Sequence, residues 1–318
     1  MNQISLFACP RCRGNLEQTA PNLFSCSMDG LNFECVDGIW RFLLPERRAR
    51  YVQFISEYET VRRGEERGAI SAAYYRALPY HDLSGRMTAD WRIRAESNDT
   101  LSKKMLGPME NRNSHPMTIL DLGAGNCWLS NRLARRGHKV AAVDLTVNEF
   151  DGLGCYRFYD SAFTPIEAEF DHLPIPNQCV DLIVFNASLH YSEDYTATLS
   201  ESLRVLKADG RLVILDSPIY QKADSGRLMV AEREAEFIKR YGFPSNALKS
   251  ENYLTYEGIK KLGDSLGLAW EFITPNYGIR WQLRPLKARI LGRREPAKFQ
   301  VVVGKRDDQS LGRTLVKS

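Results

Sequence analysis

No stretch of eighteen consecutive apolar residues occurs in the 318-residue chain, so a membrane-spanning helix is not expected. The opening MNQISLFACPRC has no basic region ahead of its short apolar patch, and a secretory leader is not expected either. There is no low-complexity block and no internal repeat. With 43% hydrophobic and 26% charged residues and a mean hydropathy of −0.36, the composition excludes a largely disordered or collagen-like chain. Charge of one sign is also scarce. The 43 cations and 39 acids leave +4 and a pI of about 8.6, below the domain-level value above roughly 9 that marks a nucleic-acid binder unaided. Cysteine is sparse and odd in number, seven in all, with four in the first 35 residues. With no sign of export, that pattern suits a metal site and scattered thiols in a reducing cytoplasm better than a disulfide framework.

At about 100–200 residues per domain, the length allows one large domain and a small module. Composition divides the chain accordingly. Residues 1–44 interleave Cys9, Cys12, Cys26 and Cys35 with Pro10, Gly14, Asp29, Gly30, Asp37 and Gly38, and predict a compact β-rich knob. Residues 45–116 are rich in Arg, Glu and Tyr. There, Phe54, Tyr58 and Val61 repeat at helical spacing, Trp91 to Leu106 predicts a second helix, and 107–116 predicts a connector. The two helices are expected to form a cap over the main domain, 117–305, and the polar segment 306–318 a loose tail.

From residue 118 the rhythm is strand, then helix. The apolar runs at 118–122, 139–143, 181–185 and 211–215 are short and continuous, as buried parallel strands are. Helical patterns run from Trp128 to Arg136, Thr196 to Leu206, about Arg227 to Tyr241, and Tyr256 to Leu266. Two late runs, Ala269–Ile273 and Phe299–Val303, are placed to complete the sheet. The expectation is an α/β fold: a Rossmann-like, doubly wound sheet with the knob at its N-terminus and the helical segment as its cap.

The most informative stretch is Thr118-Ile-Leu-Asp-Leu-Gly-Ala-Gly-Asn126. A strand ends at Asp121, turns through Gly123 and Gly125, and opens a helix near Trp128. Glycines let backbone approach a ligand closely, and a helix N-terminus presents unpaired N–H groups. Asp144 follows at the end of the next apolar run, where a carboxylate can take two ribose hydroxyls. A dinucleotide site wants a third glycine for helix–strand packing, and that place holds Trp128. S-adenosylmethionine has no pyrophosphate but has an ammonium, a carboxylate and a ribose. Asp121 near the ammonium and Asp144 on the ribose suit it.

Residues 118 to about 220 resemble the class I S-adenosylmethionine-dependent methyltransferases. The resemblance is carried by Asp121-Leu-Gly-Ala-Gly125, by Asp144, by Ala168-Glu-Phe-Asp-His-Leu-Pro-Ile175, by Phe185-Asn-Ala-Ser-Leu-His190 and by Leu203-Arg-Val-Leu-Lys-Ala-Asp-Gly210, in that order. It implies S-adenosylmethionine as cofactor, held by Asp121, Gly123, Gly125, Asp144, Leu145 and Asn186, with Glu169 and Phe170 beside the adenine. Cys127 departs from the pattern, standing where many relatives have a third glycine.

Methyl transfer from a sulfonium needs alignment above all, and a base only where the acceptor loses a proton. His190 is the candidate base, set against a packing role. Asn186, Tyr191 and Asp194 after the fourth strand, and Asp216, Pro218 and Tyr220 after the fifth, are expected at the same cleft. Tyr58, Arg62, Trp91 and Arg94 of the helical segment are candidates for contact with cofactor or acceptor, against a packing face. Asn186-Ala-Ser-Leu is not the Asn/Asp-Pro-Pro-aromatic signature of enzymes that methylate exocyclic amino groups of nucleobases. That class is therefore disfavoured, and an acceptor attacking through O, C or ring N stays open. Because the motifs past the fourth strand most resemble small-molecule members of the family, the resemblance implies a small-molecule acceptor. An rRNA or tRNA base is the alternative, supported by the mixture of cations and aromatics from Tyr277 to Arg294; a non-catalytic binding module is a second.

Cys9-Pro-Arg-Cys12-Arg-Gly14 is a tight knuckle, and Cys26 begins a second turn. Residues 6–44 resemble the small zinc-ribbon domains that accompany methyltransferases of ribosomal and transfer RNA. Zinc is expected on Cys9, Cys12, Cys26 and a fourth ligand. Register favours Asp29, ligand softness favours Cys35, and the choice falls narrowly on Cys35.

Overall fold

The computed structural model describes residues 7–69, 71–112 and 115–307. The expected tail 306–318 therefore lies almost wholly outside the described residues, as does the start of the knob.

The knob is a meander of β1 (Glu17–Ala20), β2 (Leu23–Cys26), β3 (Leu31–Val36) and β4 (Ile39–Arg41). The cap follows as α1 (Pro45–Gly64), α2 (Ala72–Ala77), α3 (Thr88–Leu101) and α4 (Gly107–Arg112), the last two joined by a π-helical turn at Ser102–Leu106. The connector expected at 107–116 is thus helical through Arg112. The main domain runs β5 (Thr118–Leu122), α5 (Trp128–Arg135), β6 (Lys139–Asp144), β7 (Thr164–Glu167), β8 (Val180–Asn186), α6 (Tyr195–Val205) and β9 (Leu206–Leu215). It ends with β10 (Ile219–Tyr220), α7 (Ala223–Tyr241), β11 (Leu254–Thr255), α8 (Tyr256–Leu266), β12 (Leu268–Ile273), α9 (Ile279–Gln282), α10 (Arg284–Ile290) and β13 (Val301–Arg306).

One sheet of eleven strands, in the order β1-β2-β3-β4-β7-β6-β5-β8-β9-β13-β12, carries the molecule. Strands β5 to β9 are mutually parallel, β4 joins β7 in parallel, and β13 runs antiparallel between β9 and β12. The chain steps outward from β5 through β6 to β7, then crosses to β8 on the other side. That reversal opens a crevice at the strand ends between β5 and β8, the place where open α/β sheets bind ligands. The knob is continuous with this sheet, since Trp40 and Arg41 pair with Ile166 and Glu167.

Strand periodicity divides the core in two. On one face Leu120, Leu122, Ala141, Val143, Ile183 and Phe185 pack with Leu199 and Leu203 of α6, Ile259 of α8, and Phe7, Phe24 and Phe42 of the knob. On the other Ile119, Val140, Ala142, Leu182 and Val184 pack under Leu129 and Leu133 of α5 and Tyr75, Trp91 and Leu101 of the cap. Both faces are covered, which explains why these strands read as unbroken apolar runs.

Candidate functional site

The crevice is built from the ends of four strands, β5, β6, β7 and β8. After β5 the backbone turns with φ of 75° at Gly123 and 50° at Gly125, a conformation that costs glycine little. The N–H groups of Gly123 and Ala124 bond Val143 O at 2.8 and 3.1 Å, fixing this turn to the end of β6. Asp144 completes the clasp. Its Oδ2 accepts from Gly125 N at 2.8 Å, and its Oδ1 from Thr146 N at 2.8 Å and Thr146 Oγ1 at 2.7 Å. A carboxylate offers about four acceptor positions, so one remains. Burial raises the Asp144 pKa, with those N–H groups opposing the rise.

Asp121 is fully buried. Ser130 Oγ donates to its Oδ2 at 2.7 Å, while its Oδ1 has no protein partner. Burial, aided by Asp144, pushes its pKa up to about 7 against the Ser130 hydrogen bond. A buried oxygen without a donor costs free energy, and a cationic ligand group would relieve that cost.

Cys127 sits at φ 64°, the left-handed conformation a third glycine would adopt freely. Next to it, Trp128 points into the cap, its ring 6.2 Å edge-on from Trp91. Trp128 N–H is taken by Asn126 Oδ1 at 3.3 Å, so the first donor of α5 is not free.

One cavity is lined by Gly123, Asp144, Leu145, Glu169, Phe170, Ala187, Ser188 and Tyr191, with Tyr51, Phe54 and Tyr58 of α1 above them. A second adjoins it across Gly123 and Tyr58, lined by Gly125, Asn126, Asn186, Arg62, Trp91 and Arg94. The structure thus brings Gly123, Gly125, Asp144, Leu145, Glu169, Phe170 and Asn186 to one crevice, with Asp121 buried just beneath. Phe170 lies edge-on to Phe185 at 5.5 Å, and Asn186 Oδ1 has no protein partner.

Glu169 differs from expectation. Arg47 of α1 reaches it through Nε at 2.9 Å and Nη2 at 2.6 Å, and the Tyr51 hydroxyl donates to it at 2.5 Å. Burial works against its charge, yet His172, Arg47 and Tyr51 together hold its pKa down at about 2. Both carboxylate oxygens are engaged by the protein, Oε2 by Arg47 and Tyr51 and Oε1 by Arg47 Nε, with His172 Nδ1 3.3 Å from Oε1.

His190 stands apart from the two cavities. It is buried, its Nδ1 is 3.2 Å from Ser217 Oγ, its ring packs 4.4 Å from Tyr191, and it lines neither cavity. Burial, with Arg233 and Arg62 nearby, pushes its pKa down to about 3, so at neutral pH it is uncharged and a weak base. Asp194 is also accounted for structurally: it caps α6, accepting from Thr196 N and Ala197 N. Tyr220 packs against Tyr253, away from both cavities.

From the cap, Arg62 pairs with Asp151 at 3.0 Å and donates to the Tyr58 hydroxyl at 2.5 Å. Arg94 lies over the Trp91 ring at 5.1 Å and has no ion pair among the described residues. Burial lowers its pKa, and Asp216 partly offsets this. Tyr51 and Arg47 escaped the sequence reading, because the periodicity of Phe54, Tyr58 and Val61 signals a packing face without saying what lies opposite.

In the knob, Cys9, Cys12, Cys26 and Asp29 gather so that one donor atom of each lies within 4.8 Å of the others. Cys9 Sγ is 3.2 Å from Asp29 Oδ2, and Cys12 Sγ is 3.5 Å from Cys26 Sγ. Cys35 is not in this group. Cys26 pairs with Leu31 across the hairpin, and Cys35 lies four residues further along β3, about 14 Å at strand rise. Asp29, in the turn three residues after Cys26, is returned to the knuckle.

Several curated proteins are similar over part of the chain. The malonyl-[acyl-carrier protein] O-methyltransferase of Buchnera aphidicola is 28% identical over 144 residues, 45% of this chain and 52% of that protein. The demethylmenaquinone methyltransferase of Thermobifida fusca is 33% identical over 101 residues, 31% of this chain and 42% of that one. The chain thus spans about half the length, or less, of these relatives. Among solved structures, the plantazolicin methyltransferase in complex with SAH is similar with a TM-score of 0.47 and 14% identity, over 82% of this chain and 96% of that one. The Haemonchus contortus phosphoethanolamine N-methyltransferase 2 in complex with S-adenosyl-L-methionine gives 0.44 and 14%, over 64% and 52%. Residues 120–214, from the middle of β5 almost to the end of β9 and so including the four strand ends of the crevice, match the family described as a methyltransferase domain.

Proposed function

We propose that the chain is an S-adenosylmethionine-dependent methyltransferase acting on a small-molecule acceptor. The observation that carries this reading is the convergence of Gly123, Gly125, Asp144 and Asn186 on one crevice at the switch point of the sheet, with Asp121 buried beneath it. Bound there, the cofactor supplies a methyl group on a sulfonium, already activated for displacement. Asp144 has an acceptor position left for the ribose, and Phe170 offers its ring beside the adenine. At the methionine end, an ammonium would satisfy Asp121 Oδ1, which lacks a protein partner, and Arg94, which has no ion pair among the described residues, would take the carboxylate. The side chains then act by alignment and exclusion of water, which can supply about 7–11 kcal/mol. No base role is assigned to His190.

The relatives' names, a malonyl group on a carrier protein and demethylmenaquinone, support a small-molecule acceptor over RNA. A non-catalytic role is disfavoured by the full set of cofactor-type residues. Within this reading residues 1–44 form a zinc-binding module, 45–116 the cap and 117–305 the catalytic domain. One structural zinc on Cys9, Cys12, Cys26 and Asp29 suits the donor set, since tetrahedral zinc accepts thiolates and carboxylate. The test is incubation with methyl-labelled cofactor and the small-molecule fraction of a cell extract. Label and a mass gain of about 14 in one compound are expected, as a methyl replaces a hydrogen. Label entering RNA instead would overturn the acceptor class.

A further inference from the structure

From Thr274 to Arg294 the chain carries six cations, Arg280, Arg284, Lys287, Arg289, Arg293 and Arg294, and no acidic residue. Helices α9 and α10 run nearly end to end through Leu283. At about 100° per residue, Ile279, Leu283, Leu286 and Ile290 fall within one stripe about 60° wide. On most helices of a globular protein such a stripe faces the core. Here it faces solvent, the four residues being 71%, 51%, 56% and 74% exposed. The inward face is aromatic instead. Trp281 packs 4.9 Å from Tyr277 and 5.7 Å from Phe299, with the Arg284 guanidinium 3.7 Å over its ring. Arg280 and Lys287 flank the stripe on one side and Arg289 on the other.

We propose that α9–α10 seats the protein on an anionic lipid surface. The aliphatic stripe enters the boundary between headgroups and acyl chains, and Arg280, Lys287 and Arg289 meet the headgroup phosphates. An outward apolar stripe between cations is the pattern of helices that lie in a membrane interface. No helix of the described residues is long and apolar enough to cross a membrane, so this contact is peripheral. RNA fits the segment less well. Bare aliphatic side chains contribute nothing to phosphate binding, and Tyr277 and Trp281, which a nucleobase would stack on, are engaged with each other. A second copy fits less well too, because two such segments would bring like charges together. The surface stands beside the crevice: the Tyr277 and Ser97 hydroxyls are 2.9 Å apart, and Ser97 donates to Asp216 at the end of β9.

The test is sedimentation of the whole protein with vesicles of equal parts phosphatidylglycerol and phosphatidylcholine, and with phosphatidylcholine alone. Binding to the anionic vesicles is expected, weakening with salt, and little or none to the neutral ones. Leu286→Glu with Ile290→Glu should cut partition roughly tenfold or more, and so should Lys287→Glu with Arg289→Glu. A melt matching wild type shows that the fold is kept; if the first pair melts early, Leu286→Ser with Ile290→Ser replaces it. Wild type that ignores anionic vesicles, or stripe variants that bind them undiminished, would overturn the proposal. So would loss in those variants of self-association, or of binding to RNA or an acidic carrier protein, where vesicles are not bound.

Discussion

Arg47 Nη2 lies 2.6 Å from Glu169 Oε2, although the two residues are 122 positions apart in the chain. This pair and the Tyr51 hydroxyl fasten the cap helix α1 to the loop after β7, where the crevice wall begins. Glu169 is buried, and its partners keep it ionised.

Removing one partner of a buried pair leaves the other charge uncompensated. Arg47→Met should therefore destabilise the protein by about 3–5 kcal/mol at neutral pH. A carboxyl held at about 2 instead of 4.5 contributes its stability in full above 4.5 and loses it as pH falls toward 2. The difference in urea midpoint between wild type and Arg47→Met should thus be largest at pH 7 and shrink below 4.5. An equal gap at pH 7 and pH 3.5 would show that the pair does not hold the cap.

Asp121 has the opposite sign. Its pKa, raised from 3.8 to about 7, makes ionisation costly to the fold as pH rises through that interval. Asp121→Asn, which keeps an oxygen for Ser130, should gain in melting temperature relative to wild type more at pH 8 than at pH 5. It should also weaken cofactor binding. In wild type, affinity should fall as pH drops below 7, because a cationic ligand group favours the ionised acid. Melting differences that do not depend on pH would remove the buried charge from this description.

The knob makes a separate prediction. Metal analysis should find one zinc per chain, lost on Asp29→Ala and kept on Cys35→Ala. Zinc loss in the Cys35 variant alone would return the fourth ligand to β3.

His190→Asn should leave unchanged any limb of the pH–rate profile between pH 5 and 8. With a pKa near 3, this histidine does not titrate there. A limb near 6.5 that disappears in the variant would make it the base after all.

The parts of this fold that depend on neighbours in sequence were legible. The turn Asp121 to Gly125, the acid at Asp144 and the helix Tyr256–Leu266 were read at their observed positions. Strand β7 was not, because Thr164-Pro-Ile-Glu167 is short and its proline argues against a strand. Cys35 was preferred over Asp29 on ligand softness, and hairpin geometry overrode that preference. Arg47 and Tyr51 carry no local signal that sets them apart from the rest of the first cap helix. Their role exists only once the sheet brings Glu169 opposite. The segment of α9–α10 was read only as a mixture of cations and aromatics, and periodicity alone shows that a face is apolar and not which way it points.

The most direct measurement is calorimetric titration of S-adenosylmethionine and its demethylated product into wild type, Asp144→Ala and Asp144→Asn. Because Asp144 also clasps Gly125 and Thr146, the asparagine variant separates lost ligand contact from a loosened turn. One site per chain is expected in wild type, weakened by about 1.5–3 kcal/mol in Asp144→Ala and measurably in Asp144→Asn. No heat of binding in wild type, or affinity unchanged in both variants, would contradict a cofactor site at the ends of β5 and β6.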